Sequence, residues 1–223
     1  MIEEILPAAA VAVEAFDDKA PVELFPEEEA AIGRAVPKRR REFATARDCA
    51  HRALQRLGLP PGPVPVGEER GEPVWPAGVV GSITHCRGYR CCAVARAAEL
   101  ASIGVDAEPH EPLPDGLIGD LANAEERAML HELAAATPAI HWDRLLFSAK
   151  ESVYKAWYPL TRRWLGFEDA LLTIDPAQRR FEAKLLVPGP TLAGGELRGF
   201  AGRWLARDGL LVATIAVSRS GES

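Results

Sequence analysis

Apolar and polar residues recur along the first half of the chain in a pattern that predicts one long helix and then several strands. Residues 38–57 place their apolar side chains at helical spacing, and Gly58 with the prolines after it indicates the end of this helix. Short segments rich in valine, isoleucine and cysteine follow, which is typical of strands. We predict these strands at 79–85, 90–96 and 101–107.

The second half repeats this order. Asn123 and Glu126 have the spacing of a capping box and predict a helix at 124–135. A second helix is predicted at 143–158, because the residue before a proline disfavours helical backbone and Pro159 follows. Four further segments have strand character. They are predicted at 170–175, 180–187, 197–206 and 210–218.

These elements predict an α+β (α/β) fold made of two similar halves, each with a helix packed on a mostly antiparallel sheet. Cys86-Arg87-Gly88 and Asp208-Gly209 are predicted as hairpin turns. A segment rich in proline, 109–116, is the predicted join. The expected halves are therefore 1–108 and 109–223, facing each other.

Composition narrows the functional classes. The chain has 223 residues of which 48% are hydrophobic, enough to bury a core. No apolar run reaches ~18 residues, so we expect no membrane-spanning helix. Glu3 and Glu4 stand where a secretory signal needs positive charge, which favours a mature cytoplasmic protein. The spacing of the four cysteines fits neither a zinc site nor a disulfide framework, so we expect buried thiols.

The charge distribution suggests anionic ligands of limited size. The net charge of −6 argues against nucleic acid as the main partner. Positive charge is nevertheless concentrated in the run 38–41 and in the pair Arg162 and Arg163. Such local patches can bind a small polyphosphate or an acidic protein.

Asp106 and Glu108 are the first candidate for chemistry. On a strand they point to the same face, about 7 Å apart along the chain. Two carboxylates with no cysteine cluster beside them suit a hard cation, magnesium before zinc. Taken alone, a pair of solvated acids at a strand end is the commoner explanation.

The helix at 143–158 carries the second candidate. Its polar face holds Lys150, Glu151, Tyr154 and Lys155, opposite an apolar face. Glu151 could serve as a third metal ligand or a general base, with the lysines on phosphate. The alternative is a surface ion pair between Glu151 and Lys155, worth only ~0.3–0.5 kcal/mol.

The third candidate is basic. His85, with the hydroxyl of Thr84, could donate to a phosphate at the end of its strand. Arg39, Arg40 and Arg47 lie on the helix at 38–57. A structural histidine and a solvated basic face are the alternatives.

The order of these segments along the chain and their amino-acid sequences resemble those of a known family. The segments VGSITHCRGYRCCAVAR (80–96), IGVDAEPH (103–110) and LLFSAKESVYKAWYPLT (145–161) resemble the phosphopantetheinyl transferases of the surfactin-synthetase and enterobactin-synthetase activating type. KRRREFATARDCAHRAL (38–54) resembles the arginine-rich helix of that family. The likeness is greatest to the actinobacterial branch and covers about residues 35–165.

This resemblance implies two pseudo-twofold-related halves with coenzyme A between them. It implies a Mg²⁺ site at Asp106, Glu108 and Glu151, with Glu151 and Lys155 in catalysis. The residues that it implies for coenzyme A are Thr84 and His85 on the 3′-phosphate, Arg39, Arg47, Lys150 and Lys155 on the phosphates and the adenine end, and Arg70 in a basic position before glycine and proline. Ala107 departs from relatives that carry a third acid there.

The implied reaction moves 4′-phosphopantetheine from coenzyme A to a serine of an acyl or peptidyl carrier protein, releasing 3′,5′-ADP. The nucleophile is expected on the carrier, because Ser82 and Ser148 lack the setting of a catalytic serine. Arg162, Arg163, Leu117 and Ile118 are candidates for docking it.

The carriers of polyketide, fatty-acid and nonribosomal peptide synthases all remain open as partners, and two halves in one chain favour a monomer. A magnesium-dependent nucleotide hydrolase and a non-catalytic binding module are the alternative functions.

Overall fold

The computed structural model describes residues 1–193 and 195–219. In this part of the chain the helices are α1 (Pro26–Ile32), α2 (Pro37–Arg56), α3 (Leu117–Leu121), α4 (Ala124–Ala136) and α5 (Trp142–Thr161), with 3-10 turns at Ile2–Ile5 and Phe167–Asp169. The strands are β1 (Ala10–Ala15), β2 (Val79–Cys86), β3 (Tyr89–Arg96), β4 (Leu100–Pro109), β5 (Ala170–Asp175), β6 (Arg180–Leu185), β7 (Thr191–Leu192), β8 (Gly195–Glu196), β9 (Gly199–Arg207) and β10 (Leu210–Ser218).

Two antiparallel sheets organise the molecule, each covered by one long helix. The first sheet has the strand order β1-β3-β2 and packs against α2. The second has the order β4-β10-β9-β6-β5 and packs against α5. A core that includes Leu145, Val153 and Trp157 of α5 fills the space above the second sheet. This confirms the predicted α+β fold, in which each half is a helix on an antiparallel sheet.

The two sheets meet along β2 and β4. Side-chain hydroxyls of β2 take the place of backbone carbonyls there: the Oγ of Ser82 accepts the Val105 N–H at 3.1 Å, and the Oγ1 of Thr84 accepts the Ala107 N–H at 3.1 Å. We call this contact the hydroxyl seam. Because β4 is also hydrogen bonded to β10, the strand belongs to the second sheet although all but its last residue precede residue 109. The expected boundary at 108/109 itself stays a prediction.

Local signals predicted the turns correctly. Gly88 lies between β2 and β3 with φ 77°, and Asp208 and Gly209 lie between β9 and β10 with φ 51° and 75°. The capping box is present as well, because the Asn123 side chain accepts the Glu126 N–H at 2.9 Å and the Glu126 carboxylate accepts the Asn123 N–H at 2.9 Å.

The predicted end of α5 before Pro159 was wrong. The helix continues to Thr161, with Pro159 inside its last turn. A proline so close to the end removes only one backbone donor. The helix then closes at Arg162, which has φ 55° and donates its N–H to the Tyr158 carbonyl at 2.8 Å.

Five helices and strands escaped the sequence pattern: β1, α1, α3 and the two-residue strands β7 and β8. Pairing of β1 with β3 encloses β3 between two neighbours, and Cys91 and Cys92 are fully buried there. The four thiols are all free; Cys49 is also buried, as expected, whereas Cys86 is only half-buried. Among the described residues, no helix is both long and apolar enough to cross a membrane.

Candidate active site

A cavity of about 590 Å³ opens at the hydroxyl seam, between α2 and β2 on one side and β4 and α5 on the other. Apart from Lys150 and the basic candidate Arg40, which pairs with Glu29 at 2.7 Å, it gathers every predicted site residue. Those residues are Arg39, Arg47, Arg70, Thr84, His85, Asp106, Glu108, Glu151 and Lys155. Side chains from four separate elements thus face one space, with acids from the second sheet and its helix and arginines from the first half.

Asp106 is buried at the floor of this cavity, and its two oxygens differ. Oδ1 accepts hydrogen bonds from the Lys155 ammonium at 2.7 Å and the Thr84 hydroxyl at 3.2 Å. Oδ2 is buried and has no hydrogen-bond partner within the described chain. A buried, unpaired carboxylate oxygen is costly, so this atom is suited to receive a cation.

Glu108, two residues further along β4, is held by a residue that sequence reasoning missed. The Arg144 guanidinium donates to Glu108 Oε2 at 2.9 Å, and to the carbonyls of Glu111 at 3.2 Å and Pro112 at 2.8 Å. Arg144 precedes Glu151 by seven residues, or two helical turns, and so shares its side of α5. That spacing was the available signal.

Glu151 shares the cavity with the two acids of β4. Burial, and then the negative charge of Asp106, raise the pKa of Glu151, while Lys155 acts in the opposite direction. The pKa of Glu108 is raised by the same two causes, and Arg144 opposes them. Asp106 therefore repels both Glu108 and Glu151 in a partly desolvated space.

This arrangement fits a hard cation but is not a preassembled coordination sphere. Within residues 1–193 and 195–219, no three His, Cys, Asp or Glu side chains lie close enough together to hold one ion. The oxygen donors, the unpaired Oδ2 of Asp106 and the mutual repulsion all suit Mg²⁺. The predicted ligand set of Asp106, Glu108 and Glu151 stays a prediction.

A close contact between backbones sets the position of α5 over β4. A Cβ added at Gly104 would lie 2.0 Å from the Ser152 carbonyl oxygen and 2.8 Å from the Ala156 nitrogen. The Ser102 hydroxyl donates to the Ala156 carbonyl at 2.8 Å beside it. The missing side chain at 104 therefore lets α5 bring Glu151 and Lys155 opposite Asp106.

The basic wall lies on α2 and at the end of β2. Arg47 is buried with its guanidinium 4.5 Å from the centroid of the Phe43 ring, and burial lowers its pKa. Its Nε has no partner in the described chain. Arg39 contacts the Nε2 of His85, which lies exposed at the rim. Desolvation within the cavity and then the positive charge of Arg39 lower the pKa of His85.

A loop of the first half, residues 66–73, reaches the end of α5 from across the cavity. The Tyr158 hydroxyl donates to Glu69 at 2.6 Å, and Arg162 forms an ion pair with Glu72 at 2.9 Å. The Arg70 guanidinium lies 4.8 Å from the centroid of the exposed Trp164 ring. Arg70 therefore lines the cavity while stacked on an aromatic ring of the other half.

The remaining candidates for docking a carrier differ in how far their side chains are free to contact a partner. Arg163 lies over the Trp157 ring at 4.8 Å and donates to the Pro188 carbonyl at 2.6 Å, so much of its bonding capacity is used inside the chain. Leu117 is 47% exposed, whereas Ile118 is packed against the core of the second half.

The structure does not bring Lys150 into this cavity, which corrects its predicted place on the polar face. Its ammonium is buried and donates to Glu126 at 2.9 Å, to the Phe167 carbonyl at 2.6 Å and to the Ala170 carbonyl at 3.2 Å. Residue 150 follows Leu146 by one helical turn and so shares its buried side. Burial lowers the pKa of Lys150, and the bond to Glu126 partly offsets this.

A smaller cavity of about 240 Å³ adjoins the other side of Glu151. Its walls are mainly apolar and aromatic, with Tyr154, Trp164, Leu165 and Phe167 among them, and Lys150 also lines it. The Tyr154 hydroxyl is buried without a partner in the described chain. An elongated ligand that reaches past Glu151 would find an apolar channel here.

Two family descriptions match most of the chain. The 4′-phosphopantetheinyl transferase N-terminal domain matches residues 27–95, and the 4′-phosphopantetheinyl transferase superfamily matches residues 102–194. Together they include the basic wall, the hydroxyl seam and the acids of β4 and α5.

Curated relatives are similar over nearly their whole length. The 4′-phosphopantetheinyl transferase Svp of Streptomyces mobaraensis is 58% identical over 98% of this chain and 89% of its own. Npt of Nocardia iowensis is 48% identical over 97% of this chain and 99% of its own. PptT of Mycobacterium tuberculosis is 44% identical over 97% of this chain and 98% of its own. The predicted resemblance, including its branch, is confirmed.

Proposed function

Because the chain belongs to the 4′-phosphopantetheinyl transferase superfamily, we propose that the cavity at the hydroxyl seam is where it transfers 4′-phosphopantetheine from coenzyme A to a serine hydroxyl of an apo carrier protein. The products are the holo carrier and 3′,5′-ADP. The observation that carries the assignment of the site is the shared cavity, in which three carboxylates of β4 and α5 face the arginines and histidine of α2 and β2.

The basic wall binds the phosphates of coenzyme A. Arg47 is buried with an unpaired Nε, so a phosphate oxygen would satisfy a donor that the protein leaves free. Arg39 and His85 are in contact at the rim and are positioned for the 3′-phosphate. Arg70, stacked on Trp164, supplies a planar guanidinium from the opposite side.

The acidic side of the cavity supports the chemistry. Mg²⁺, which Asp106, Glu108 and Glu151 would hold, supplies positive charge for the pyrophosphate when it is bound. Glu151 accepts the proton of the carrier serine as that oxygen attacks the phosphorus, and its raised pKa suits a general base. Lys155 stabilises the negative charge that develops on the departing phosphate of 3′,5′-ADP.

The apolar cavity beside Glu151 accommodates the pantetheine arm. It adjoins the residue that would act as base, and its aromatic walls suit a chain with few charges. The arm would then extend from the reacting phosphorus toward Tyr154 and Phe167.

The family acts on carrier proteins, and we extend this to acyl and peptidyl carriers of polyketide, fatty-acid or nonribosomal peptide synthases. Two complete helix-and-sheet halves in one chain favour a monomeric enzyme. Four free thiols favour the reducing cytoplasm.

An intact-mass assay tests the function. The protein is mixed with an apo carrier, coenzyme A and Mg²⁺, with an EDTA control. We expect the carrier to gain the mass of one phosphopantetheine, and EDTA to prevent it. Coenzyme A cleaved without a change in the carrier would mean a hydrolase. Intact coenzyme A with unmodified acyl and peptidyl carriers would mean a binding module.

The role of Glu151 has its own test. Glu151→Gln keeps the size of the side chain but removes the base, so transfer should nearly cease while coenzyme A binding is largely retained. Glu132→Gln on the exposed side of α4 is the matched control and should behave as wild type. Equal losses of binding and transfer in Glu151→Gln would mean that the residue only holds the metal.

A further inference from the structure

The Thr84 hydroxyl is fully committed inside the protein. Thr84 is 3% exposed on β2, and its Oγ1 accepts the Ala107 N–H at 3.1 Å while donating to Asp106 Oδ1 at 3.2 Å. A threonine hydroxyl has a single proton to donate. Since this proton is donated in the hydrogen bond to Asp106, Thr84 has no donor left for a phosphate.

From this geometry we propose that Thr84 is a positioning residue for Asp106 and not a ligand of the 3′-phosphate of coenzyme A, as the resemblance implied. The inference rests on the proposed function of the cavity. Thr84 and Lys155 together bind Oδ1 and so fix the rotation of the carboxylate. The free Oδ2 is then held in one orientation for a cation.

Ser82 provides an internal reference for this role. It lies two residues earlier on the same face of β2, and its hydroxyl accepts the Val105 N–H at the same distance of 3.1 Å. Within the described chain, however, no hydrogen bond joins Ser82 to a carboxylate. Ser82 therefore contributes to the hydroxyl seam alone, whereas Thr84 contributes to the seam and to the orientation of Asp106.

His85 provides the opposite reference. It is exposed at the rim and contacts Arg39, so its ring can reach a ligand that enters from solvent. Among the two residues of the Thr84-His85 pair, the 3′-phosphate would contact only the histidine. The consecutive residues thus have separate tasks, one inside the protein and one toward the ligand.

The experiment compares Thr84→Val, Thr84→Ser and Ser82→Ala in the full chain. Mn²⁺ affinity in the presence of coenzyme A is measured by electron paramagnetic resonance, and binding of coenzyme A and 3′-dephospho-coenzyme A by calorimetry. Loss of a group that orients a metal ligand typically costs about 10-fold or more in metal affinity. We expect that loss for Thr84→Val, recovery by Thr84→Ser, and near wild-type Mn²⁺ affinity for Ser82→Ala. Thr84→Ala replaces the valine variant if the latter does not fold.

The two coenzymes separate positioning from phosphate binding. If Thr84 positions Asp106, the ratio of the affinities for coenzyme A and 3′-dephospho-coenzyme A stays at its wild-type value in Thr84→Val. His85→Asn should lower that ratio. A lowered ratio in the Thr84 variant would overturn the proposal, as would equal Mn²⁺ losses for Thr84→Val and Ser82→Ala, or no Mn²⁺ binding by the wild type.

Failure of the proposed function would be seen elsewhere. It would leave the carrier unmodified by the wild-type protein in the mass assay, whereas the binding measurements need no transfer. The failure of one conclusion can therefore be distinguished from the failure of the other.

Discussion

Helix α5 forms one buried and one partly buried ion pair, about one and a half turns apart, in two different regions of the molecule. In the core pair, Lys150 and Glu126 have side chains that are 3% and 0% exposed. Glu126 also accepts the N–H groups of Asn123 and Leu172. In the cleft pair, the Lys155 side chain is 26% exposed and one oxygen of Asp106 has no partner in the described chain.

The two pairs differ in how many of their hydrogen-bonding groups already have partners within the protein. The core pair is surrounded by its own hydrogen bonds, so it has no bonding capacity for a ligand and fixes the packing of α4 and β5 on α5. The cleft pair leaves a carboxylate oxygen unpaired next to a cavity. The same residue types thus stabilise the fold in one region and are available for chemistry in the other. Spacing along α5 alone does not distinguish them.

The largest effect should come from breaking the core pair. Lys150→Met leaves Glu126 as an uncompensated buried charge, and removing one partner of such a pair costs about 3–5 kcal/mol. The free energy of unfolding from urea denaturation checks this, with the exposed Lys38→Met as the control. A change below about 1 kcal/mol would show that the core pair contributes little.

Breaking the cleft pair should affect the reaction more than the fold. We expect Lys155→Met to lower kcat/KM by about 100-fold, which corresponds to about 2.7 kcal/mol of transition-state stabilisation. The loss of stability should be smaller than for Lys150→Met, because water in the cavity can solvate Asp106. Steady-state kinetics and urea denaturation of both variants provide the test. A loss of stability equal to that of Lys150→Met would remove the distinction between the two pairs.

A smaller effect should follow at Arg144, which extends the cleft pair to Glu108. Arg144→Met frees the Glu108 carboxylate to rotate away, and we expect about a 10-fold loss of Mn²⁺ affinity. Asp143→Asn is the matched control. It weakens the bond from the Leu113 N–H in the same segment but leaves Glu108 bound. Equal losses in both variants would mean that Arg144 only anchors the segment after β4.

The smallest effect should be a pH dependence of stability from His85 at the basic wall. The pKa of His85 is lowered from 6.5 in the folded chain. As the pH falls below 6.5, the unfolded chain therefore takes up the proton first, and the contribution of His85 to stability, fully present above that value, decreases. His85→Asn should flatten this part of the stability curve. A curve with an unchanged slope would mean that His85 does not contribute.

The sequence predicted what depends on near neighbours. The period of α2, the capping box of Asn123 and Glu126 and the Asp208-Gly209 turn are each encoded within a few residues. By contrast, β1 is paired with β3, some 80 residues away along the chain, and contacts of that kind have no local pattern. The hydroxyl seam is hidden for the same reason, since Ser82 and Thr84 look like ordinary strand residues.

The candidate site was predicted by the resemblance more than by spacing. The sequence motifs shared with the family identified the residues that line the cavity, but they could not show what each residue contacts. The burial of Lys150 depends on Glu126, which is 24 residues away along the chain. The roles of Arg144 and Thr84 likewise depend on carboxylates of β4, from which they are well separated in sequence.

The contact at Gly104 has a consequence for how this protein can vary. Because residue 104 carries only a hydrogen atom in place of a side chain, α5 can pack directly against the backbone of β4. Even a methyl group at position 104 would displace the helix that carries Glu151 and Lys155. Substitutions of residues that line the cavity exchange one functional group for another. A substitution at 104 would instead change the distances between the groups of the candidate site while leaving each of these side chains chemically unchanged.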